Sequence, residues 1–173
     1  MPKEPLRLIV AGASGRMGSR VAALAWADSR FHLVGRLGHK TPLASHGPPV
    51  VNAREFAAKL GHVDVIVDFS TAAASVLHAE IAAKARKGIV IGTTGFKQAE
   101  LARIKAAARK TAVLLAPNFS PAVAVFFTLA KEAARLLDGF QAGISEIHHN
   151  AKKDAPSGTA LKLAEAVQAG RRD

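Results

Sequence analysis

The 173-residue sequence predicts an α/β protein, a doubly wound parallel sheet followed by a smaller second domain. Three observations predict it. Short apolar, β-branched runs alternate with helix-like runs along the first two thirds of the chain. Those runs are continuously apolar, without the polar alternation of a half-exposed sheet, which points to parallel strands covered on both faces. Residues are 49% hydrophobic and only 5% aromatic, a composition suited to helices packed on a sheet.

The first strand is RLIVAG (7–12), and Arg16 to Asp28 reads as the helix that follows it. HLVGRL (32–37) is a second strand. A Pro/Gly-rich loop around HGPP (46–49) leads to a short helix, AREFAAKLG (53–61). VDVIVDFS (63–70) is a third strand, followed by an alanine-rich helix through about Lys87. GIVIGTT (88–94) is a fourth strand, 97–110 a helix, and AVLLAPN (112–118) a fifth strand. The rhythm then changes. Pro121 to Leu137 is a long helix with Val123, Phe126, Phe127, Ala130 and Leu137 on an apolar side and Lys131, Glu132 and Arg135 on a polar one. FQAGISEIHH (140–149) alternates like a strand, and Ala160 to Ala169 reads as a helix. Pro117 is a natural break, so the expected domains are 1–118 and 119–173.

The formal net charge is +11, from 24 Lys and Arg against 13 Asp and Glu, which favours anionic partners. Residues 84–110 hold eight cations (Lys84, Arg86, Lys87, Lys97, Arg103, Lys105, Arg109 and Lys110) against Glu100. This reads as a solvated helical surface. A nucleic-acid patch would call for interleaved aromatics, and the chain has no Tyr and a lone Trp26. There is no cysteine, which excludes disulfides and thiolate chemistry and is compatible with a cytoplasmic location. No apolar run approaches the length of a membrane span, and the N-terminus has no cleavable-signal pattern.

The first strand ends in G-A-S-G-R-M-G, Gly12 to Gly18. Glycines between a first strand and a first helix let the backbone approach a pyrophosphate, and the helix start presents free N–H groups to it. The spacing is G-x-x-G-x-x-G, which makes this turn, with Gly12, Ser14, Gly15, Arg16 and Met17 in it, the candidate dinucleotide-binding segment. Sheets that bind NAD usually end the second strand in an acid for the ribose hydroxyl. Here the segment is Gly38-His39-Lys40, and His39 and Lys40 suit a 2′-phosphate. NADPH is therefore the expected cofactor, with NADH the alternative. Gly92, Thr93 and Thr94 after the fourth strand, and Ala116, Pro117, Asn118 and Phe119 after the fifth, open at the same carboxyl ends of strands.

Late in the chain, EIHHNAKKDAPSGTAL (146–161) crowds two histidines, two lysines and a Ser-Gly-Thr helix start. Cations crowded in this way can stabilise negative charge on a small anion and supply a proton. Ser-Gly-Thr opening a helix offers hydroxyls and N–H groups to a carboxylate. A metal site at His148 and His149 is disfavoured, because adjacent strand residues point to opposite faces and no partner ligands stand at metal spacing.

Taken in order, GASGRMG (12–18), VIGTTGF (90–96), APNFS (116–120) and E-x-H-H-x-x-K-x-D-A-P-S-G-T-A (146–160) resemble the 4-hydroxy-tetrahydrodipicolinate reductase family over about Leu6 to Val167. The resemblance implies a Rossmann-type fold and a reduction dependent on NADPH or NADH in lysine and diaminopimelate synthesis. It implies His148 and Lys152 as the acid/base pair, with Lys152 the proton donor. His149, Ser157, Gly158 and Thr159 would hold a small dicarboxylate substrate, and Gly92, Thr94, Ala116, Asn118 and Phe119 would line the nicotinamide pocket. His39 matches a position where the family commonly carries an Arg near the 2′-phosphate. It also implies a homo-oligomer, a tetramer in the family, with a dimer as the alternative here. This sequence departs from the family's pattern at Gly38, where an acid is common, and at Thr71, where an arginine is common. The family continues beyond the helix at 160–169 with further strands, a glycine- and arginine-containing substrate segment and a returning helix. The expectation is therefore a shortened α+β substrate and oligomerisation domain, with a catalytically impaired dinucleotide-binding remnant as the alternative reading.

Overall fold

Leu8, Ile9, Val10 and Ala11 are all buried, on a strand where alternate side chains must point to opposite sides. Only a sheet covered on both faces accommodates that. The computed structural model describes residues 4–38, 47–48, 50–51, 53–148 and 155–171. It divides into two compact units, Met1–Leu115 and Ala116–Asp173.

The first unit is a six-stranded parallel sheet of order β3-β2-β1-β4-β5-β6. Its strands are β1 (Leu6–Ala11), β2 (Phe31–Leu37), β3 (Val50–Val51), β4 (Val65–Asp68), β5 (Gly88–Ile91) and β6 (Val113–Leu115). Helices α1 (Arg16–Ala27), α2 (Ala53–Lys59), α3 (Ala72–Ala85) and α4 (Gln98–Ala107) alternate with them, and a 3₁₀ turn (Leu60–His62) follows α2. The doubly wound sheet is the predicted fold, with β3 added as a two-residue edge strand where a loop was expected. The strands expected over 63–70, 88–94 and 112–118 are shorter, because their last residues turn away as loops at the carboxyl edge.

Two apolar clusters follow from the period of two. Ile9 and Ala11 join Phe56, Ile66, Val76, Ala79, Ile89, Ile91 and Ile104 on one face. Leu8 and Val10 join Ala22, Ala25 and Leu33 on the other. On α3 the buried residues Val76, Ala79, Ala82 and Ala83 recur at helical spacing, and their small size lets the helix lie close to the sheet. Its start is capped by the Thr71 hydroxyl, which accepts from the Ala74 N–H at 3.4 Å. Its end turns at Arg86, held at φ +53°.

The second unit holds α5 (Pro121–Leu136) and α6 (Gly158–Gly170). Proline at the first turn of α5 gives up an N–H that would have no intrahelical acceptor. The helices cross closely at Gly170, where a Cβ would stand 2.0 Å from the Lys131 carbonyl oxygen. No hydrophobic side chain is buried among the described residues of this unit. The strand expected over 140–149 does not form among the described residues 140–148. Alternation fits one face of a strand, but a strand also needs a neighbouring strand for its N–H and C=O groups, and no strand pairs with this segment among the described residues. No helix among the described residues is long and apolar enough to cross a membrane.

Phe56 is fully buried and Leu77, on α3, is half exposed. Phe56→Ala is expected to lower the stability of the first unit by about 3–5 kcal/mol, and Leu77→Ala by about 0.5 kcal/mol or less. Urea unfolding followed by the fluorescence of Trp26 measures both.

Candidate cofactor and active site

In the first unit, the turn after β1 is built from glycines that nothing else can replace. Gly12 sits at φ +75°, and a Cβ on it would lie 2.2 Å from the Phe69 carbonyl oxygen. A Cβ on Gly18 would lie 2.2 Å from the Gly12 carbonyl oxygen, so this residue lets α1 settle onto the turn. The Gly15 N–H donates to the Gly12 carbonyl at 2.9 Å and closes the loop. Gly15 is also the residue before α1, so no side chain caps the helix, and no acid stands in its first turn. Ser14, Gly15, Arg16 and Met17 are exposed there. An uncapped helix start without a nearby acid, opened by glycines, fits a phosphate group.

At the end of β2, a Cβ on Gly38 would come within 2.2 Å of the Ser14 hydroxyl oxygen. A side chain at this position would push the Ser14 hydroxyl aside, which gives Gly38 a packing reason in addition to the absence of negative charge. His39 and Lys40 lie outside the described residues.

The ends of β4 and β5 are joined by a buried polar cluster. Asp68 has no solvent exposure. Its Oδ2 lies 2.6 Å from His78 Nδ1 on α3. Its Oδ1 accepts from the Ser70 N–H at 2.8 Å and from the Ser70 hydroxyl at 2.6 Å. The buried Ser75 hydroxyl lies 3.2 Å from the same oxygen and 2.9 Å from the hydroxyl of Thr93, itself 8% exposed. The His78 ring packs at a tilt on Phe56, with centroids 5.4 Å apart. Burial pushes the Asp68 carboxyl up, but the bonds from His78 and Ser70 outweigh it and hold the carboxyl below its usual value. Gly92 follows β5 and donates its N–H to the Asp68 carbonyl at 2.8 Å. A Cβ on Gly92 would stand 2.1 Å from the Phe69 ring. Thr94 is exposed at the same edge.

In the second unit, Asn118 brings two predicted site segments together. Its side-chain oxygen accepts from the Ser120 N–H at 2.8 Å, at the start of α5, and its amide donates to the Thr159 hydroxyl at 3.3 Å, at the start of α6. Ala116 is half-buried, while Pro117 and Phe119 are exposed. Glu146 gathers another set. One oxygen accepts from the Ser157 N–H at 2.7 Å, and the other accepts from the Ser157 hydroxyl and lies 2.7 Å from His148 Nε2. The Ser157 hydroxyl also caps α6, accepting from the Ala160 N–H at 3.0 Å. These contacts, led by the Ser157 hydroxyl and followed by His148, bring the Glu146 carboxyl down to about 2. The Ser157 hydroxyl is therefore already engaged on both sides, whereas Gly158 and Thr159 are partly exposed. His149 and Lys152 lie outside the described residues.

Reading the sequence missed Asp68, Ser75, His78 and Glu146. Of the two aspartates in the VDVIVDF run, the second, Asp68, follows the apolar Val65–Val67 stretch and was a signal, since strands buried on both faces exclude charge unless it is paired. Glu146 was the first residue of the E-x-H-H pattern, two places before His148 and so on its side of an extended chain. His78 and Ser75 sit in an alanine-rich helix and carry no pattern of their own.

Two family models match the chain: "Dihydrodipicolinate reductase, N-terminus" over residues 6–119 and "Dihydrodipicolinate reductase, C-terminus" over residues 122–173. The 4-hydroxy-tetrahydrodipicolinate reductase of Aquifex aeolicus is 42% identical over 177 residues, covering 94% of this chain and 66% of that protein. The enzyme of the same name from Anaeromyxobacter dehalogenans is 40% identical, covering 93% of this chain and 64% of that one. The chain thus spans about two thirds of the length of these relatives, or slightly less. Among solved structures, a dipicolinate-bound dihydrodipicolinate reductase from Paenisporosarcina sp. TG-14 is similar at 26% identity and a TM-score of 0.69, covering 96% of this chain and 67% of that one.

Two titrations check the electrostatics. The folded-state pKa of Asp68 is lowered, so its stabilising effect is full above the unfolded value of about 3.9 and is lost as pH falls through the lower folded value. Asp68→Asn should flatten the acid limb of a stability–pH profile below about pH 4 relative to the wild type. Carbon-detected NMR should find Glu146 titrating at about 2, and Ser157→Ala should return it toward the ordinary value of about 4.3.

Proposed function

The chain belongs to the dihydrodipicolinate reductase family, and from that premise we propose that it binds NADPH and reduces 4-hydroxy-tetrahydrodipicolinate to tetrahydrodipicolinate, the 4-hydroxyl leaving as water. This is a step of lysine and diaminopimelate synthesis, here assigned to a cytoplasmic homo-oligomer. The observation that carries the cofactor assignment is the uncapped start of α1, opened by Gly12, Gly15 and Gly18 and free of acids in its first turn.

Each unit has its own part. Residues 1–118 are the dinucleotide-binding domain. Gly12, Ser14, Gly15, Arg16 and Met17 take the pyrophosphate side, His39 and Lys40 the 2′-phosphate, and Gly92, Thr93 and Thr94 the nicotinamide side. Residues 119–173 are the substrate domain, with Ala116, Pro117, Asn118 and Phe119 leading into it on the nicotinamide side. When bound, NADPH supplies the hydride.

The chain's own residues handle charge and protons. Lys152 stands as the cation for the ring nitrogen and gives it the proton. His148 supports it as the second acid/base group. Glu146 is anionic at neutral pH and accepts from His148 Nε2, which fixes the ring's orientation. Glu146 also takes the Ser157 N–H and hydroxyl. Ser157 therefore acts by holding Glu146 and capping α6, and the N–H groups of Gly158 and Thr159 are assigned to a substrate carboxylate, a role shared with His149.

A second reading, a dinucleotide-binding protein without turnover, is favoured by the absence of any buried hydrophobic side chain among the described residues of the second unit.

Fluorescence titration with NADPH and NADH tests the cofactor assignment: NADPH should bind more tightly, and a clear preference for NADH would remove the role given to Gly38, His39 and Lys40. Turnover of NADPH with enzymatically generated substrate separates the two readings. Turnover that Lys152→Ala lowers by about 10²–10⁴-fold without changing NADPH affinity supports the reductase. NADPH binding by folded wild-type chain with zero turnover supports the second reading.

A further inference from the structure

Asp68 touches none of the residues assigned to the pyrophosphate, yet the turn it holds lies against both halves of the cofactor site. The segment Asp68–Ser70 runs between two loops. On one side, the Phe69 N–H donates to the Ala11 carbonyl at 3.0 Å, and the Phe69 carbonyl lies where a Cβ of Gly12 would be. On the other, the Phe69 ring lies where a Cβ of Gly92 would be, and the Asp68 carbonyl accepts the Gly92 N–H. The Asp68 carboxylate locks this segment by binding Ser70 twice, and it also meets the Ser75 hydroxyl at 3.2 Å and the Thr93 hydroxyl at 3.4 Å, two groups that bond to each other. Its second oxygen is anchored from α3 by His78. Five named groups thus converge on one carboxylate sealed from water, and no buried side-chain nitrogen or oxygen among the described residues lacks a partner.

We propose that Asp68 is a positioning residue for the cofactor: without touching it, Asp68 sets the spacing between the Gly12–Gly18 turn and the Gly92–Gly95 loop. The proposal rests on the NADPH reading above. A ligand that spans both loops depends on that spacing, whereas a ligand confined to the glycine turn and the end of β2 does not. A purely structural role would make no such distinction.

The test compares two probes, NADPH and adenosine 2′,5′-bisphosphate, on wild type, Asp68→Asn and Ser75→Ala, with thermal unfolding recorded for each. Asp68→Asn keeps the shape and removes the charge. It should weaken NADPH about tenfold, the factor carried by one hydrogen bond, and leave the bisphosphate unchanged within about twofold. Ser75→Ala removes the hydroxyl that joins Asp68 to Thr93 while leaving Ser70 and His78 on the carboxylate, and should show the same selectivity with a smaller loss, about threefold; should Asp68→Asn fail to fold, this variant decides. Equal weakening of both probes, or of neither, overturns the inference while leaving the cofactor reading intact. A wild-type chain that binds neither probe overturns the cofactor reading, and the inference falls with it.

Discussion

A carboxylate without access to water, at the end of β4, is the constraint on which the working edge of the sheet depends. Leaving a carboxylate buried and unpaired would cost far more than folding can supply, so Asp68 recruits partners from everything around it. His78 comes from α3, Ser70 from its own turn, and Ser75 from the first turns of α3. Together they bring the Asp68–Ser70 turn down onto the sheet edge. Phe69 is then placed so that its carbonyl excludes any side chain at position 12 and its ring excludes any at position 92. The glycines on either side are consequences of where this turn lies, as well as openings for a ligand.

The two units hold their chemistry in different ways. In the first, two apolar clusters fix the strands, and the loops inherit their positions from strand ends. In the second, no hydrophobic side chain is buried among the described residues, and the polar groups hold one another instead: Glu146 with His148 and Ser157, Asn118 with Thr159 and Ser120. The apolar surface of α5 stays exposed at Val125, Phe126 and Leu129. A core resists displacement by packing, whereas a set of hydrogen bonds between half-exposed groups exchanges with water. The Glu146, His148 and Ser157 set thus has a softer support than the glycine turn after β1.

How much was legible in the sequence follows the same division. The continuous apolar runs gave the parallel sheet its strands because burial on both faces leaves no room for polar alternation. The glycine turn was legible because backbone approach has one chemical solution. The two-residue β3 was not, since it is shorter than any pattern. The alternating run at 140–149 misled because alternation describes a face and says nothing of a partner strand. Asp68 was hidden by the assumption that a strand residue packs, when its value lay in contacts with residues 2, 7, 10 and 25 positions away. Ser157 was recognised as part of a carboxylate clamp, and here the carboxylate it holds is Glu146.

The central claim is that a dinucleotide lies along the carboxyl edge of this sheet, from the turn after β1 to the loop after β5. Amide NMR of the ¹⁵N-labelled chain during NADPH titration tests it most directly. The account predicts saturable shifts at Gly12 to Gly18 and at Gly92 to Thr94, with the amides of β1 to β5 at the opposite, amino ends of the strands unmoved. Shifts confined to those amino ends, or shifts at the glycine turn that never extend to Gly92 and Thr93, would contradict it.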